Sequence, residues 1–165
     1  MTEPFSTAST RSLLAILGEL SAILQGATSF AEKQVAFFAV LREQLGFDLA
    51  WLGMLDSQNK FVQGRGGFVL DGTHGMLTSR VSIVPGEFID RVTSHRDTFV
   101  TANLKEDPRS KAWWAYAREW GIQGAAAFPI TFQNQCLGIC LLGSRRWGLL
   151  LAAEEESTLK VLGDL

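Results

Sequence analysis

The chain has few cysteines and histidines, on which disulfide-linked and metal-bound proteins depend, and it lacks a long apolar run. Its 165 residues include only two cysteines, two histidines and four prolines. Two cysteines are too few for a disulfide scaffold. The sequence also shows no signal peptide and no apolar run of about twenty residues, which a membrane-spanning helix would need. We therefore expect a cytoplasmic protein without membrane insertion.

Neither sign of charge dominates the chain. Fifteen Lys and Arg residues face seventeen Asp and Glu residues, for a net charge of −2, and the basic residues are scattered. Nucleic acids and anionic membrane surfaces are bound by clustered basic residues. We therefore expect no nucleic-acid partner. With 47% hydrophobic residues, the chain is long enough to form one domain with its own core.

The two histidines do not form a metal-binding pattern. His74 and His95 each lack a second ligand at helical or strand-compatible spacing. Because a protein metal site needs several His, Cys or carboxylate ligands, we expect no metal. Haem bound through one of these histidines stays open as a hypothesis.

The two cysteines are predicted to be unreactive. Cys136 and Cys140 stand four residues apart in one predicted strand, so they share a face but lie too far apart to form a disulfide. Their neighbours Leu137, Ile139 and Leu141 are apolar and would not lower a thiol pKa. We expect buried thiols and no catalytic residue.

Amphipathic helices are predicted at both ends of the chain. Residues 10–25 carry leucines at heptad spacing, and residues 152–165 begin with three glutamates and continue with spaced leucines. The two stripes suggest that the terminal helices pack together and pair with a second copy, which predicts a homodimer. Between them, Ser29 and Glu32 form a capping box for a helix that ends at Gly46. Its predicted stripe is Val35, Phe38, Ala39, Arg42 and Leu45.

Short apolar runs predict the strands of an antiparallel sheet. We expect strands at residues 49–55, 61–63, 81–84 and 99–100, and a loosened glycine-rich region at residues 64–75. Pro85-Gly86 is predicted to open a short helix with one apolar face. Because the links between strands are short, an α+β arrangement is favoured over a doubly wound parallel sheet.

A tryptophan-rich helix precedes the last predicted hairpin. Ser110 is predicted to cap a helix that ends at Gly121 and buries Trp113, Tyr116, Ala117 and Trp120. Residues 124–132 then form a strand in which Pro129 must lie at an edge or bulge, since proline has no N–H to donate. A polar turn at residues 133–135 leads to a strand at 136–143, and we expect this hairpin to be buried on both faces.

This region resembles the GAF domain, the small sensory module of bacterial sensor histidine kinases and diguanylate cyclases. The residues that carry the resemblance are Asp107-Pro108-Arg109, Trp114, Ala117, Gly121, Ala126-Phe128-Pro129-Ile130 and Leu137-Gly138. The resemblance implies a GAF/PAS-like central antiparallel sheet of about five to six strands. The terminal helices would cover one face, and short helices and loops the other. We expect residues 1–165 to be one domain, with an N-terminal helix at 10–25 and a core at 29–165, cut from a longer multidomain protein.

The resemblance also implies a function. GAF-like modules bind a small molecule or dimerise, without catalysis, to control an attached output domain such as a kinase or cyclase. Two alternatives stay open. One is a purely structural dimerisation module with a collapsed pocket. The other is a GAF-fold thiol reductase, although Phe88 stands where that family has a cysteine.

Known ligand classes of the family match this chain poorly. Phytochrome-like members attach a bilin through a cysteine, and residues 75–130 contain none, which argues against a covalent bilin. Members that bind cyclic nucleotides have an Asn-Lys pair, then a Phe and then an Asp-Glu pair. The matching positions here are Ser144, Arg145, Leu150, Glu154 and Glu155, which keep the charges of that motif but not its residues. Cyclic GMP is therefore disfavoured.

A ligand pocket is predicted between the sheet and its short helices, because apolar walls with a few polar groups are typical of small-molecule sites. The competing interpretation is that these aromatic residues simply form the core. The apolar candidates are Trp51, Phe88, Ile89, Val92, Phe99, Trp113 and Tyr116, and the polar candidates are Arg80, Asn103, Asp107 and Arg118. Arg118 is also predicted to cover the indole of Trp114, one helical turn away.

Overall fold

The computed structural model describes residues 29–43, 46–70 and 74–145. The helices are α1 (Phe30–Glu43), α2 (Phe88–His95) and α3 (Trp114–Trp120), with 3₁₀ segments at Gly75–Thr78 and Pro108–Trp113. The strands are β1 (Leu49–Leu55), β2 (Phe61–Val69), β3 (Arg80–Ser82), β4 (Phe99–Thr101), β5 (Gly124–Phe132) and β6 (Gln135–Ser144). The chain divides into two compact units, at residues 1–45 and 46–165, so α1 belongs to the first and all other described elements to the second.

One antiparallel sheet organises the second unit. Its six strands lie in the order β3-β2-β1-β6-β5-β4, and every neighbouring pair is antiparallel. The predicted α+β fold with an antiparallel sheet is thereby confirmed. The predicted terminal helices at 10–25 and 152–165 lie outside the described residues.

Helix α1 begins with the predicted capping box. The Ser29 backbone N–H donates to Oε2 of Glu32 at 3.1 Å, and the Glu32 N–H donates to Oγ of Ser29 at 3.3 Å. The predicted stripe is wrong at Val35, whose side chain is 71% exposed, whereas Leu41 is fully buried. These residues are six positions apart, which places them roughly 120° apart around the helix.

Among the described residues, no helix has both the length and the apolar character needed to cross a membrane.

Strand β2 corrects the prediction of a loose glycine region. It extends to Val69, and Arg65 forms a bulge because Leu52 pairs with Gly66 while Gly53 pairs with Gly64. A Cβ atom on Gly64 would overlap the carbonyl of Leu77. These glycines therefore allow neighbouring backbone to approach the strand, and they do not loosen it.

The β5–β6 hairpin has the predicted position and burial. Strand β4 pairs with Ala125–Ala127, so Pro129 lies beyond it, where no strand of the described residues pairs with β5 on that side and no donor is needed. Gln133 and Asn134 adopt φ values of 49° and 62°, as a tight two-residue hairpin turn requires. Buried residues occupy both faces of this hairpin, including Ile139 and Leu141 on one and Cys140 and Leu142 on the other.

Two helix starts differ from the predictions. Helix α3 begins at Trp114, and the residue that caps the preceding 3₁₀ segment is Asp107. Ser110 has non-helical torsions, and its buried hydroxyl donates to the carbonyls of Leu104 and Asp107 at 3.0 and 3.1 Å. The side chain that accepts a backbone N–H at the start of this segment is that of Asp107, whose Oδ1 accepts from the N–H of Arg109 at 2.9 Å.

Helix α2 also starts later than predicted, and the strand before it lies one to two residues earlier. Strand β3 covers Arg80–Ser82 where residues 81–84 were predicted, and Pro85-Gly86 forms a turn instead of the first helical residues. Helix α2 begins at Phe88 after Glu87, and Oδ2 of Asp90 accepts from the N–H of Gly86 at 3.0 Å. The apolar face of this helix is the predicted one and is buried: Phe88, Ile89 and Val92.

Candidate functional site

Helix α3 presents its aromatic residues to the sheet as predicted. Trp113, Ala117 and Trp120 are buried, and Tyr116 is half-buried. The helix ends at Gly121, whose φ of 69° is left-handed and suits glycine. The N–H of the next residue, Ile122, returns to the carbonyl of Ala117 at 2.9 Å, which completes a Schellman C-cap.

Six apolar pocket candidates form one buried cluster under α2 and α3. The ring centroids of Trp51 and Trp113 lie 5.1 Å apart, those of Phe88 and Phe99 lie 4.7 Å apart, and Phe88 lies 6.0 Å from Trp113. The Nε1–H of Trp51 donates to the carbonyl of Leu77 at 3.2 Å, so the indole keeps its hydrogen bond while buried. Ile89 and Val92 join the same core. The structure thus brings these six residues together, as side chains that contact one another.

Two half-buried rings, those of Tyr116 and His74, border this cluster beside the buried ring of Trp120. The rings of Tyr116 and Trp120 stack with centroids 5.2 Å apart, and Tyr116 lies 6.1 Å from Trp113. The half-buried ring of His74 meets Tyr116 and Trp120 edge-on at 5.9 and 5.3 Å. We call His74, Tyr116 and Trp120 the aromatic rim.

Neither His74 nor Trp120 was among the predicted pocket residues, although His74 was considered as a haem ligand and Trp120 was predicted to be buried. Nδ1 of His74 accepts from the backbone N–H of Met76 at 3.1 Å and caps the 3₁₀ segment Gly75–Thr78. The neutral ring therefore carries its proton on Nε2, which becomes the nitrogen that can donate to another molecule. More than forty residues separate His74 from Tyr116, so no local pattern could have paired them.

Asp107 is held by Arg109, which belongs to the Asp107-Pro108-Arg109 motif but was not among the predicted pocket residues. Arg109 donates to both carboxylate oxygens of Asp107, from Nε at 3.0 Å and from Nη2 at 2.7 Å, and the Arg109 backbone N–H donates at 2.9 Å. The hydrogen bonds from Arg109 lower the pKa of Asp107 to about 2. The same guanidinium lies 4.8 Å over the ring of Phe99. Asp107 is therefore a capping and ion-pairing residue at the edge of the cluster.

Asn103 has one polar atom without a partner among the described residues. Its Nδ2 donates to Oε2 of Glu106 at 3.1 Å, but its Oδ1 is buried and meets no donor. A buried acceptor without a donor carries a desolvation cost. Among the polar candidates, Asn103 is the one with a buried side-chain atom that lacks a hydrogen-bond partner within the described residues.

The other two polar candidates lie on exposed positions with aromatic partners of their own. The guanidinium of Arg80 lies 4.1 Å over the ring of Phe61, and that of Arg118 lies 5.9 Å over Trp114 as predicted. The Trp114 Nε1–H donates to the carbonyl of Asp107 at 2.8 Å. Within the described residues, neither guanidinium lies over a ring of the buried cluster.

The thiols lie in surroundings that disfavour the thiolate. Burial raises the pKa of Cys140 to about 12, and desolvation also raises the pKa of the half-buried Cys136. The described residues include no group of three or more His, Cys, Asp or Glu side chains that could hold a metal ion.

One protein family has the features described above: this order of elements, a turn capped by Asp107, and an aromatic helix above the sheet. A family model for the GAF domain matches residues 19–165. The chain belongs to the GAF domain family. GAF domains are typically sensory or regulatory modules of signalling proteins. A search of curated proteins gave no match to this particular GAF domain.

Solved structures with the same fold include proteins of several kinds. This GAF domain is similar to the GAF domain of A. aeolicus Nlh2 in an inactive state, with 15% identity over 94% of this chain and 93% of that one and a TM-score of 0.76. The free methionine-R-sulfoxide reductase of Neisseria meningitidis, solved with its substrate, has 14% identity, coverage of 98% and 90%, and a TM-score of 0.71. A phycocyanobilin-bound GAF domain of a cyanobacterial phytochrome has 12% identity, coverage of 92% and 90%, and a TM-score of 0.70. At these identities the likeness shows the shared fold alone.

Proposed function

We propose that this GAF domain is a non-catalytic sensory module of a cytoplasmic bacterial signal-transduction protein, such as a two-component sensor. In this proposal it binds a small molecule at the aromatic rim and controls an attached output domain as a homodimer. The observation that carries the proposal is the half-buried ring of Tyr116, which stacks on Trp120 and faces His74 beside a closed core. A small molecule could contact the half-buried rings of Tyr116 and His74 without unfolding the domain.

The closed core explains why the rim is favoured over the interior. Trp51 and Phe88 are fully buried, so a ligand there would have to displace side chains that already pack on one another. The ring centroids of Trp113 and Tyr116 lie 6.1 Å apart, so the buried Trp113 would affect a ligand by positioning the Tyr116 ring. Stacked rings beside an imidazole N–H suit a flat molecule with at least one hydrogen-bond acceptor.

A thermal-shift screen tests the ligand directly. Purified protein would be heated with nucleotides, tetrapyrroles and amino acids, and a compound at 100 times its Kd should stabilise the fold by about 2.7 kcal/mol. Tyr116→Ala should abolish that shift, whereas Tyr116→Phe, which keeps the ring, and Glu119→Ala, on the exposed side of the same helix, should retain it. A shift that survives in Tyr116→Ala would place the ligand elsewhere.

The structural dimerisation module is the second candidate. It is favoured by the mutual contacts of the six buried candidates, because side chains that already pack against one another do not require a ligand to fill the core. It predicts no thermal shift with any compound and a dimer that persists in light scattering. Pairing through residues 10–25 and 152–165 remains a prediction for both candidates, and a strictly monomeric protein at high concentration would argue against both.

The thiol reductase has less support. One protein of this fold is a sulfoxide reductase, but here Phe88 occupies the position of a family cysteine, and burial raises the pKa of Cys140 to about 12. A nucleophilic cysteine needs a lowered pKa. Cys136→Ser and Cys140→Ser should each leave any measured sulfoxide reduction unchanged, and loss of activity in a variant that still folds would revive this alternative.

A further inference from the structure

Arg145 joins three parts of the domain at the point where the chain leaves the sheet. It directly follows β6, which ends at Ser144. Its backbone N–H donates to Oδ2 of Asp48 at 2.8 Å, just before β1. Its side-chain Nε–H donates to the carbonyl of Trp120 at 3.2 Å, at the end of α3. One residue thus links the start of β1, the end of β6 and the end of the aromatic helix.

The end of α3 leaves a carbonyl for this contact. The Schellman cap satisfies the carbonyls of Ala117 and Arg118 with the N–H groups of Ile122 and Gly121. The carbonyl of Trp120 lies at the negative end of the helix, where a cationic donor is favourable. A Cβ atom on Gly121 would lie 3.6 Å from Nε of Arg145, so the guanidinium packs directly against the cap.

Backbone hydrogen bonds hold the same end of the sheet together. The N–H of Gln123 donates to the carbonyl of Ser144 at 2.7 Å, and the N–H of Asp48 donates to the carbonyl of Gly143 at 2.9 Å. Backbone hydrogen bonds therefore join the end of β6 both to the segment after α3 and to the segment before β1. A movement of α3 relative to this end must change the contact between Trp120 and Arg145.

We propose that Arg145 is a positioning residue that couples helix α3 to the point where the chain leaves β6. Tyr116 lies one turn before Trp120 on α3, so a disturbance at the aromatic rim reaches the carbonyl that Arg145 holds. The coupling exists without a ligand. Its use in regulation rests on the proposed function, in which the ligand contacts Tyr116.

Hydrogen exchange of the residue 145 amide, resolved by NMR in the 165-residue chain, tests the coupling without any ligand. Tyr116→Ala disturbs α3 and should speed this exchange by about three- to tenfold. In the Arg145→Ala background, adding Tyr116→Ala should produce no further change. If Tyr116→Ala fails to fold, Ala115→Gly, at an exposed position of α3, provides a milder disturbance.

Three controls separate coupling from simple capping. Arg118→Ala, whose guanidinium lies over Trp114, should leave the residue 145 amide unchanged. Asp48→Asn keeps an acceptor and should preserve slow exchange, whereas Asp48→Ala should speed it. Additive effects of Tyr116→Ala and Arg145→Ala would overturn the proposal, because Arg145 would then only cap α3. A negative ligand screen would count against the sensory function and leave this result standing.

Discussion

The indoles of Trp51 and Trp113 meet with ring centroids 5.1 Å apart and an interplanar angle of 60°. One comes from the central strand β1 and the other from the residue before α3, so this contact fixes the aromatic helix to the sheet. Both side chains are almost fully buried. The stability of the domain should therefore depend on Trp113 more than on its neighbour Trp114.

Trp113→Ala should lower the free energy of unfolding by about 3–5 kcal/mol, because it removes a buried indole and leaves a cavity. Trp113→Phe should cost less, since a ring remains against Trp51. Trp114→Ala is the matched control, as Trp114 is only half-buried. Urea unfolding followed by circular dichroism measures all three. Equal costs for Trp113→Ala and Trp114→Ala would show that the buried face is assigned wrongly.

The domain should not tolerate a side chain at Gly67 in β2. The φ of Gly67 is +148°, and a Cβ there would overlap the carbonyl of Ala50 on β1. Gly67→Ala should therefore destabilise the domain by about 2 kcal/mol or more, through backbone strain and crowding. Gly75→Ala is the control, because a Cβ atom at Gly75 would meet nothing within 4 Å and this residue opens a 3₁₀ segment. A tolerated Gly67→Ala would instead support a flexible glycine region.

The elements that were predicted correctly have strong local signals. The capping box at Ser29, the left-handed cap at Gly121 and the turn at Asn134 each require a particular residue for local reasons of hydrogen bonding or torsion. The antiparallel sheet follows from short connections between apolar runs. These features determine the α+β class without knowledge of distant contacts.

The errors come from contacts between residues far apart in sequence. Glycines in β2 were interpreted as flexible because Leu77 and Ala50, which approach them, cannot be recognised from the local pattern. Ser110 resembles a cap, yet it lies inside the 3₁₀ segment, where its hydroxyl donates to the carbonyl of Leu104 while Asp107 caps the segment. His74 joins the candidate site only because the fold brings the segment after β2 to α3. Such contacts depend on tertiary packing, which single-sequence periodicity does not encode.

Because the pKa of Asp107 is lowered, the stability of the domain should fall at low pH. That pKa falls from 3.8 to about 2 in the folded protein, chiefly through hydrogen bonds from Arg109. The folded state therefore favours the carboxylate, so its contribution is complete above about pH 4 and is lost as the pH falls towards 2. We expect about 1–2 kcal/mol, since Arg109 is partly solvent-exposed.

Asp107→Asn checks this dependence while it keeps a capping side chain. The variant should be less stable at pH 7, and its unfolding free energy should fall less between pH 4 and pH 2. Asp97→Asn, at an exposed position after α2, is the control and should follow the unmodified protein. Parallel curves for Asp107→Asn and the unmodified protein would mean that the ion pair with Arg109 contributes nothing to folding.

The two thiols should differ sharply in their rates of alkylation. Cys140 is buried within β6 with a pKa raised to about 12, whereas Cys136 is half-buried near the hairpin turn. Because the thiolate is the reactive form and must also be reached, iodoacetamide at pH 8 should modify Cys136 first. Cys140 should react only as the domain unfolds, and both should react equally in urea. Mass spectrometry of Cys136→Ser and Cys140→Ser gives each rate separately. Fast native labelling in Cys136→Ser would show that β6 opens readily, against its place at the centre of the sheet.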